Sequence, residues 1–312
     1  MPRSHALLSG LFDYAGLYPP AALPLGEAMA NYARYRTGRQ GWMLGRFIVP
    51  AQRLEECSAI GARLFPKGAG AASWRISALA GTEPESDASQ VSAFNRRHAE
   101  PAHGAAIVDT LETRVASPQD VRAVRTWASR GFDVYCEVAA GPDMERLLDA
   151  IARAGLHAKV RTGGVTADAI PCRDHVAAFL CACAARGVVA KATAGLHHAL
   201  TGEYPLTYAP DAPRASMFGY LNLVLAAGIA EGAGRSAAQS IEVRATVARL
   251  LSLEVPPAWI GHGAMEWSGK NGPIIEGPLD HFAVSGRALI RSVGTCAFEE
   301  PVEQARSIGL IV

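Results

Sequence analysis

The feature that most constrains this chain is a repeated alternation. Short β-branched or aromatic runs are each followed by an amphipathic, alanine-rich stretch. GRFIVP (45–50) precedes AQRLEECSAIGARLF, and SWRISALAG (73–81) precedes SDASQVSAFNRRHA. AAIVDTLET (105–113) precedes SPQDVRAVRTWASRG, FDVYCEVAA (132–140) precedes DMERLLDAIARAG, and HAKVRTGG (157–164) precedes CRDHVAAFLCACAARG. VVAKATAG (188–195) leads through a long loop to SMFGYLNLVLAAGIAEG, and ALIRSVGTCAF (288–298) leads to EPVEQARSIGL. Ser117 with Asp120 three residues on is a helix-start signature. Gly131, Gly155 and Gly187 fall where a helix should stop before the next strand.

Repeated βα units imply a parallel sheet. Seven strands can be placed, and AMEWSG (264–269) supplies an eighth. That count predicts an α/β fold of the TIM type, a (β/α)8 barrel, rather than an open doubly wound sheet. Residues 1–44, a turn-rich aromatic segment and a helix, read as an N-terminal extension; residues 45–312 read as one barrel domain. Asp13 and Tyr14 either cap the barrel mouth or belong to a packing arm or dimer contact. Residues 203–213, with three prolines, read as a long loop that could act as a lid.

Composition narrows the partners. A net charge of +1 with scattered arginines gives no electrostatic case for nucleic acid or a membrane surface. The longest apolar run, Leu221–Ala230, is too short to span a bilayer, which takes about 20 residues. The N-terminus does not read as a signal peptide. Six cysteines without a CxxC pair suggest reduced thiols. The expected protein is cytoplasmic, with a small-molecule substrate and no cofactor or metal called for, and self-association is left open.

Strand faces carry the chemistry, because side chains alternate with period two. In DVYCEV, Tyr135 and Glu137 share a face; in AKVRTG, Lys159 and Arg161; in VVAKAT, Val189, Lys191 and Thr193. If the apolar faces pack on helices, these polar positions look into the barrel. A barrel interior is ordinarily filled by Val, Ile and Leu, so charged inward positions near strand ends mark a mouth. Structural ion pairs inside a barrel are the competing explanation. Lysine is scarce here, four residues against 26 arginines. Arginine serves as a surface cation as well as lysine does, but it cannot lose its proton near neutral pH or form a Schiff base. Two ammonium groups on neighbouring strands should repel and lower the pKa of one amine, and a neutral amine attacks carbonyls.

KVRTGG followed by KATAGLH resembles the paired-lysine strands of class I aldolases of the deoxyribose-phosphate aldolase type. The resemblance covers about 60 of the 312 residues. It implies that Lys159 forms the Schiff base, that Lys191 tunes it, and that an earlier aspartate, Asp109, takes part in proton transfer. Arg161 stands where that family has a small hydroxyl residue, and GLHH replaces its phosphate-holding Gly-Ile-Arg.

Other candidates surround this pair. Glu137 could move protons. His197 and His198 follow Gly195; at most one should face the site, as acid/base, metal ligand or plain loop residue. Arg161, Thr162, Gly163, Gly164, Thr193 and Gly195 could hold an anion, as could Arg291, Gly294 and Thr295 near the last strand, because final barrel loops often bind phosphate. Cys296 has no neighbour in sequence that marks it as reactive. Three functions follow: an aldolase-type lyase acting on a small anionic carbonyl compound; a metal-dependent lyase, isomerase or hydrolase using His197 or His198 with the carboxylates Glu137 and Asp109, and with His262 or Glu266 as a further ligand; or a non-catalytic small-molecule-binding barrel.

Overall fold

The computed structural model describes residues 4–68, 70–81, 84–139, 141–260, 264–270 and 272–312. The strands are β1 (Phe12–Tyr14), β2 (Leu44–Pro50), β3 (Trp74–Leu79), β4 (Ala106–Arg114), β5 (Asp133–Glu137), β6 (His157–Arg161), β7 (Ala190–Thr193), β8 (Gly202–Pro205), β9 (Arg214–Met217), β10 (Ala258–Ile260), β11 (Ala264–Gly269), β12 (Gly272–Pro278) and β13 (Ile290–Thr295). The helices are α1 (His5–Leu8), α2 (Leu25–Thr37), α3 (Leu54–Gly61), α4 (Pro84–His98), α5 (Pro118–Ala128), α6 (Met144–Ala154), α7 (Arg173–Arg186), α8 (Tyr220–Gly232), α9 (Ile241–Leu251), α10 (Leu279–Leu289) and α11 (Glu299–Ser307).

Eight parallel strands close a barrel in the order β1-β13-β7-β6-β5-β4-β3-β2. The TIM-type expectation therefore holds, but one of the eight expected strands lies outside the barrel and another strand takes its place. Ala264–Gly269 is a strand, yet it pairs antiparallel with β10 and β12 in a separate three-stranded sheet. The eighth barrel strand is β1, inside the segment read as an extension; it pairs with both β13 and β2. Three residues are too few to show a period of two, and the central one, Asp13, is polar because it faces inward. The long loop also contains order, since β8 and β9 form a hairpin whose tip spans residues 206–213.

The local signals behave as their chemistry requires. Ser117 Oγ accepts from the Asp120 amide at 3.2 Å, and Asp120 Oδ2 accepts from the Ser117 amide at 2.9 Å, a reciprocal capping box with Pro118 opening α5. α6 and α7 stop at Gly155 (φ 67°) and Gly187 (φ 64°), left-handed caps that a side chain would strain. Leu147, Leu148 and Ile151 form the buried stripe of α6. Burying each such side chain contributes about 1.5–3 kcal/mol. The outward faces of the strands, including Val134, Cys136, Ala158, Val160, Ala190 and Ala192, are buried beneath the helices.

One irregularity sets which residues face inward. Between β3 and β4 the register runs Ile76 to Val108, then Ser77 to Thr110. Asp109 is thus an extra residue, a bulge that re-aims one side chain and resets the alternation after it. Beyond it Thr110 and Glu112 share the inward face with Ser77, whose hydroxyl donates to Glu112 Oε1 at 2.6 Å.

Candidate active site

The barrel interior carries two polar layers. The lower layer lies toward the N-terminal ends of the strands. There Asp109 accepts from Arg46 Nε at 2.6 Å and from Arg75 Nε at 2.6 Å. Arg46 also approaches Asp133 at 3.5 Å, and His157 approaches Asp133 at 3.8 Å. Burial alone would raise the Asp109 pKa; the two guanidinium groups, Arg46 first, outweigh it and lower it.

The upper layer holds both lysines. Lys159 and Lys191 occupy matched positions on β6 and β7. Lys159 Nζ lies 2.8 Å from Glu112 Oε2 and 2.9 Å from Glu137 Oε2. Lys191 Nζ lies 2.8 Å from Glu112 Oε1 and 2.5 Å from Asp13 Oδ2. Glu112 therefore bridges the two ammonium groups, one oxygen to each. Asp13 is fixed in turn by the Ser292 hydroxyl at 2.7 Å and the Arg46 amide at 2.6 Å. The Tyr135 ring lies 4.9 Å from Lys191 Nζ.

This network corrects two expectations. Asp109 does not join the lysines; the bulge turns it to the lower arginines, and Glu112 takes the place between the amines. The expected repulsion is also cancelled at Lys191. Burial opposes its charge, but Asp13 and then Glu112 outweigh that cost, and its pKa is raised. Burial would raise the Glu112 carboxyl, and the two lysines instead hold it far below the usual carboxylate range. Glu137 is lowered against its burial, mainly by Lys159, with Arg161 and Arg114 adding to the effect.

A cavity of about 340 Å³ opens above this layer. Glu112 and Lys159 reach it from below, and Arg161, Gly163, Gly164, Thr193, Gly195, His197, Gly294 and Cys296 also line it. Lys191 does not line it; it is buried beneath. The two loops above the lysines are knitted together, because the Thr162 hydroxyl donates to the Ala194 carbonyl at 2.8 Å. A Cβ on Gly163 would sit 2.9 Å from Gly195 Cα, so only glycine permits that approach. Thr162 thus ties loops rather than facing the cavity. Thr295 is buried, its hydroxyl donating to the Ala297 carbonyl at 2.9 Å and lying 3.2 Å from His197 Nδ1. Arg291 is outside the mouth: it falls in a register shift between Ile290 and Ser292, is exposed, and does not line the cavity.

The two histidines divide as adjacent residues should. His197 faces the cavity, with Nδ1 2.9 Å from Glu300 Oε2 and Nε2 3.7 Å from Cys296 Sγ. His198 stacks on Tyr204 with ring centroids 3.4 Å apart and lines an adjoining cavity of about 270 Å³. Burial, and then the charge on His197, push the His198 pKa down to about 4. Among the described residues no group of three or more His, Cys, Asp or Glu could hold a metal ion. His262, one of the donors considered for a metal, lies outside the described residues. No helix of the described residues is long and apolar enough to cross a membrane.

Sequence reasoning missed Glu112, Ser292 and Glu300, and it named Asp13 as a cap of the mouth or a packing or dimer contact without its Lys191 partner. Glu112 was legible only if the bulge at Asp109 was known. Asp13 and Glu300 become functional candidates only through contacts with residues more than 100 positions away.

No family model matches this chain, and no curated protein matches it. Among solved structures it is similar to FabK from Thermotoga maritima, with 14% identity and a TM-score of 0.37 over 64% of this chain; the match spans 56% of that chain. A single-residue mutant of FabK from the same organism matches at 13% identity and a TM-score of 0.41, over 98% of this chain and 96% of that one.

Proposed function

We propose that this chain is an aldolase-type lyase that holds a small anionic carbonyl compound as an imine on Lys159. One observation carries this reading: Lys159 is the strand lysine that reaches the cavity, and its amine lies within 2.9 Å of two carboxylates. Glu137, whose carboxylate lies 2.9 Å from the amine, takes the ammonium proton along that contact. The neutral amine attacks the carbonyl carbon, and water leaves from the carbinolamine. The resulting iminium accepts the electron pair of the breaking carbon–carbon bond. Glu137 moves protons to and from the substrate, while Glu112 stays ionised beside both lysines. Lys191, pinned by Asp13 and Glu112, keeps Glu112 in place and charged. Arg161 and the glycine loops hold the anionic group.

Borohydride reduction in the presence of glyoxylate, pyruvate and short aldehydes tests this. The expected result is a reduced adduct on the peptide bearing Lys159, lost in Lys159→Met. Absence of an adduct on Lys159 with every carbonyl compound that is turned over would sink the imine mechanism. The metal-dependent reading finds no three-residue donor set among the described residues.

A further inference from the structure

The cavity wall above β7 and β13 carries a second constellation, which the imine chemistry does not use. Cys296 follows the last residue of β13, and Glu300 lies in the first turn of α11. Between them His197 presents Nε2 to Cys296 Sγ at 3.7 Å and Nδ1 to Glu300 Oε2 at 2.9 Å. One ring nitrogen thus meets a thiol and the other a carboxylate, the order in which a nucleophile, a base and an orienting acid must stand. Cys296 is only 5% exposed, yet it lines the mouth cavity. His197 lines both that cavity and the adjoining one, and Glu300 and Tyr208 reach the second. The Tyr208 hydroxyl, from the hairpin tip, lies 3.9 Å from Cys296 Sγ. The other buried thiols lack such company: Cys57 is pushed up to about 12 and Cys181 to about 11, mainly by burial.

We propose that Cys296, His197 and Glu300 form an acyl-transfer centre that hydrolyses activated esters or thioesters of small carboxylic acids. In the reacting form the thiol proton rests on His197 Nε2. The sulfur attacks the acyl carbon, and a C–S bond forms. The bond to the leaving oxygen or sulfur breaks, and His197 returns the proton to that leaving group. Water then attacks the thioester, giving its proton to His197. The C–S bond breaks, the acid departs, and the proton returns to sulfur. Cys296 and His197 are the catalytic residues, and Glu300 is a positioning residue that holds the ring in register. His197 suits the acid role: burial opposes its charge, but hydrogen bonds to Cys296 and Glu300 outweigh it and lift its pKa to about 9.

The probe is p-nitrophenyl acetate, with full-length Cys172→Ser protein as the background, because Cys172 is the exposed cysteine. Nitrophenol release gives the rate, and peptide mass locates the acetyl group in rapidly quenched samples. The expected adduct is on Cys296, followed by repeated turnover. Cys296→Ser should abolish the adduct, and His197→Asn should slow acylation by about 100-fold or more. Glu300→Gln should slow it less, with partial recovery in Glu300→Asp, which a role in folding alone would not produce. Mass mapping of protein with Cys296 intact keeps the test decisive even if a variant misfolds. Acetyl found only elsewhere, no adduct at all, or a Cys296 adduct that is never released would each overturn the proposal.

Discussion

The two polar layers of the barrel use the same ingredients differently. In the lower layer a carboxylate, Asp109, sits between two guanidinium groups at 2.6 Å each. In the upper layer a carboxylate, Glu112, sits between two ammonium groups at 2.8 Å each. Arginine forms rigid forked contacts and keeps its charge at any ordinary pH, which suits a permanent brace. Lysine offers a point charge that can surrender its proton. A chain that uses arginine almost everywhere keeps lysine in the layer that touches the cavity. Charge inside a barrel therefore does not by itself mark a reactive site; under the imine reading proposed above, the kind of cation separates the two layers.

The contrast can be broken most severely at Lys191. Lys191→Met leaves Asp13 and Glu112 buried without that cation, and stability to urea should fall by about 3–5 kcal/mol. A loss below 1 kcal/mol would show that the upper layer is not a coupled network. Asp109→Asn should cost less, about 2 kcal/mol, because it weakens charged hydrogen bonds in a layer partly open to water. Imine trapping on Lys159 should survive it; abolition of trapping would restore Asp109 to the reaction.

Acid should separate stability from its usual limits. Glu112, Glu137 and Asp109 are all lowered on folding, so each stabilises the fold above its ordinary pKa. That contribution disappears as pH falls below about 4.5 toward the depressed values. His197 has the opposite sign. Its raised pKa adds stability that is complete below its ordinary 6.5 and lost as pH rises through about 9. Urea midpoints from pH 3 to 10 should fall at both ends, and His197→Asn should flatten the alkaline fall alone. The smallest effect belongs to Arg75, whose side chain is 59% exposed. Arg75→Ala should change stability by only about 0.2–1 kcal/mol in the same titration.

Much of this arrangement could be read before folding was known, because it rests on local rules. Period-two alternation aimed Lys159, Lys191, Glu137 and Arg161 inward, and capping and stop signals marked α5, α6 and α7. What escaped depended on contacts between distant parts of the chain. The bulge at Asp109 arises from pairing with β3, so alternation along β4 alone gives the wrong carboxylate. β1 is three residues long and reveals itself as a barrel strand only between its two partners. Cys296 gained its histidine from the loop after β7, 99 residues earlier.

The placement of β1 has a consequence for how the molecule is made. Asp13 meets Ser292 across 279 positions, so the upper network cannot be completed until nearly the whole chain is available. Closing so long a loop is slow relative to forming adjacent βα units. During synthesis the early units can assemble while Asp13 still lacks Ser292 and the barrel remains unsealed. A chain halted before β13 would expose open strand edges, a state prone to aggregation and to triage by chaperones and proteases. Completion of the upper polar layer and closure of the barrel are thus one event.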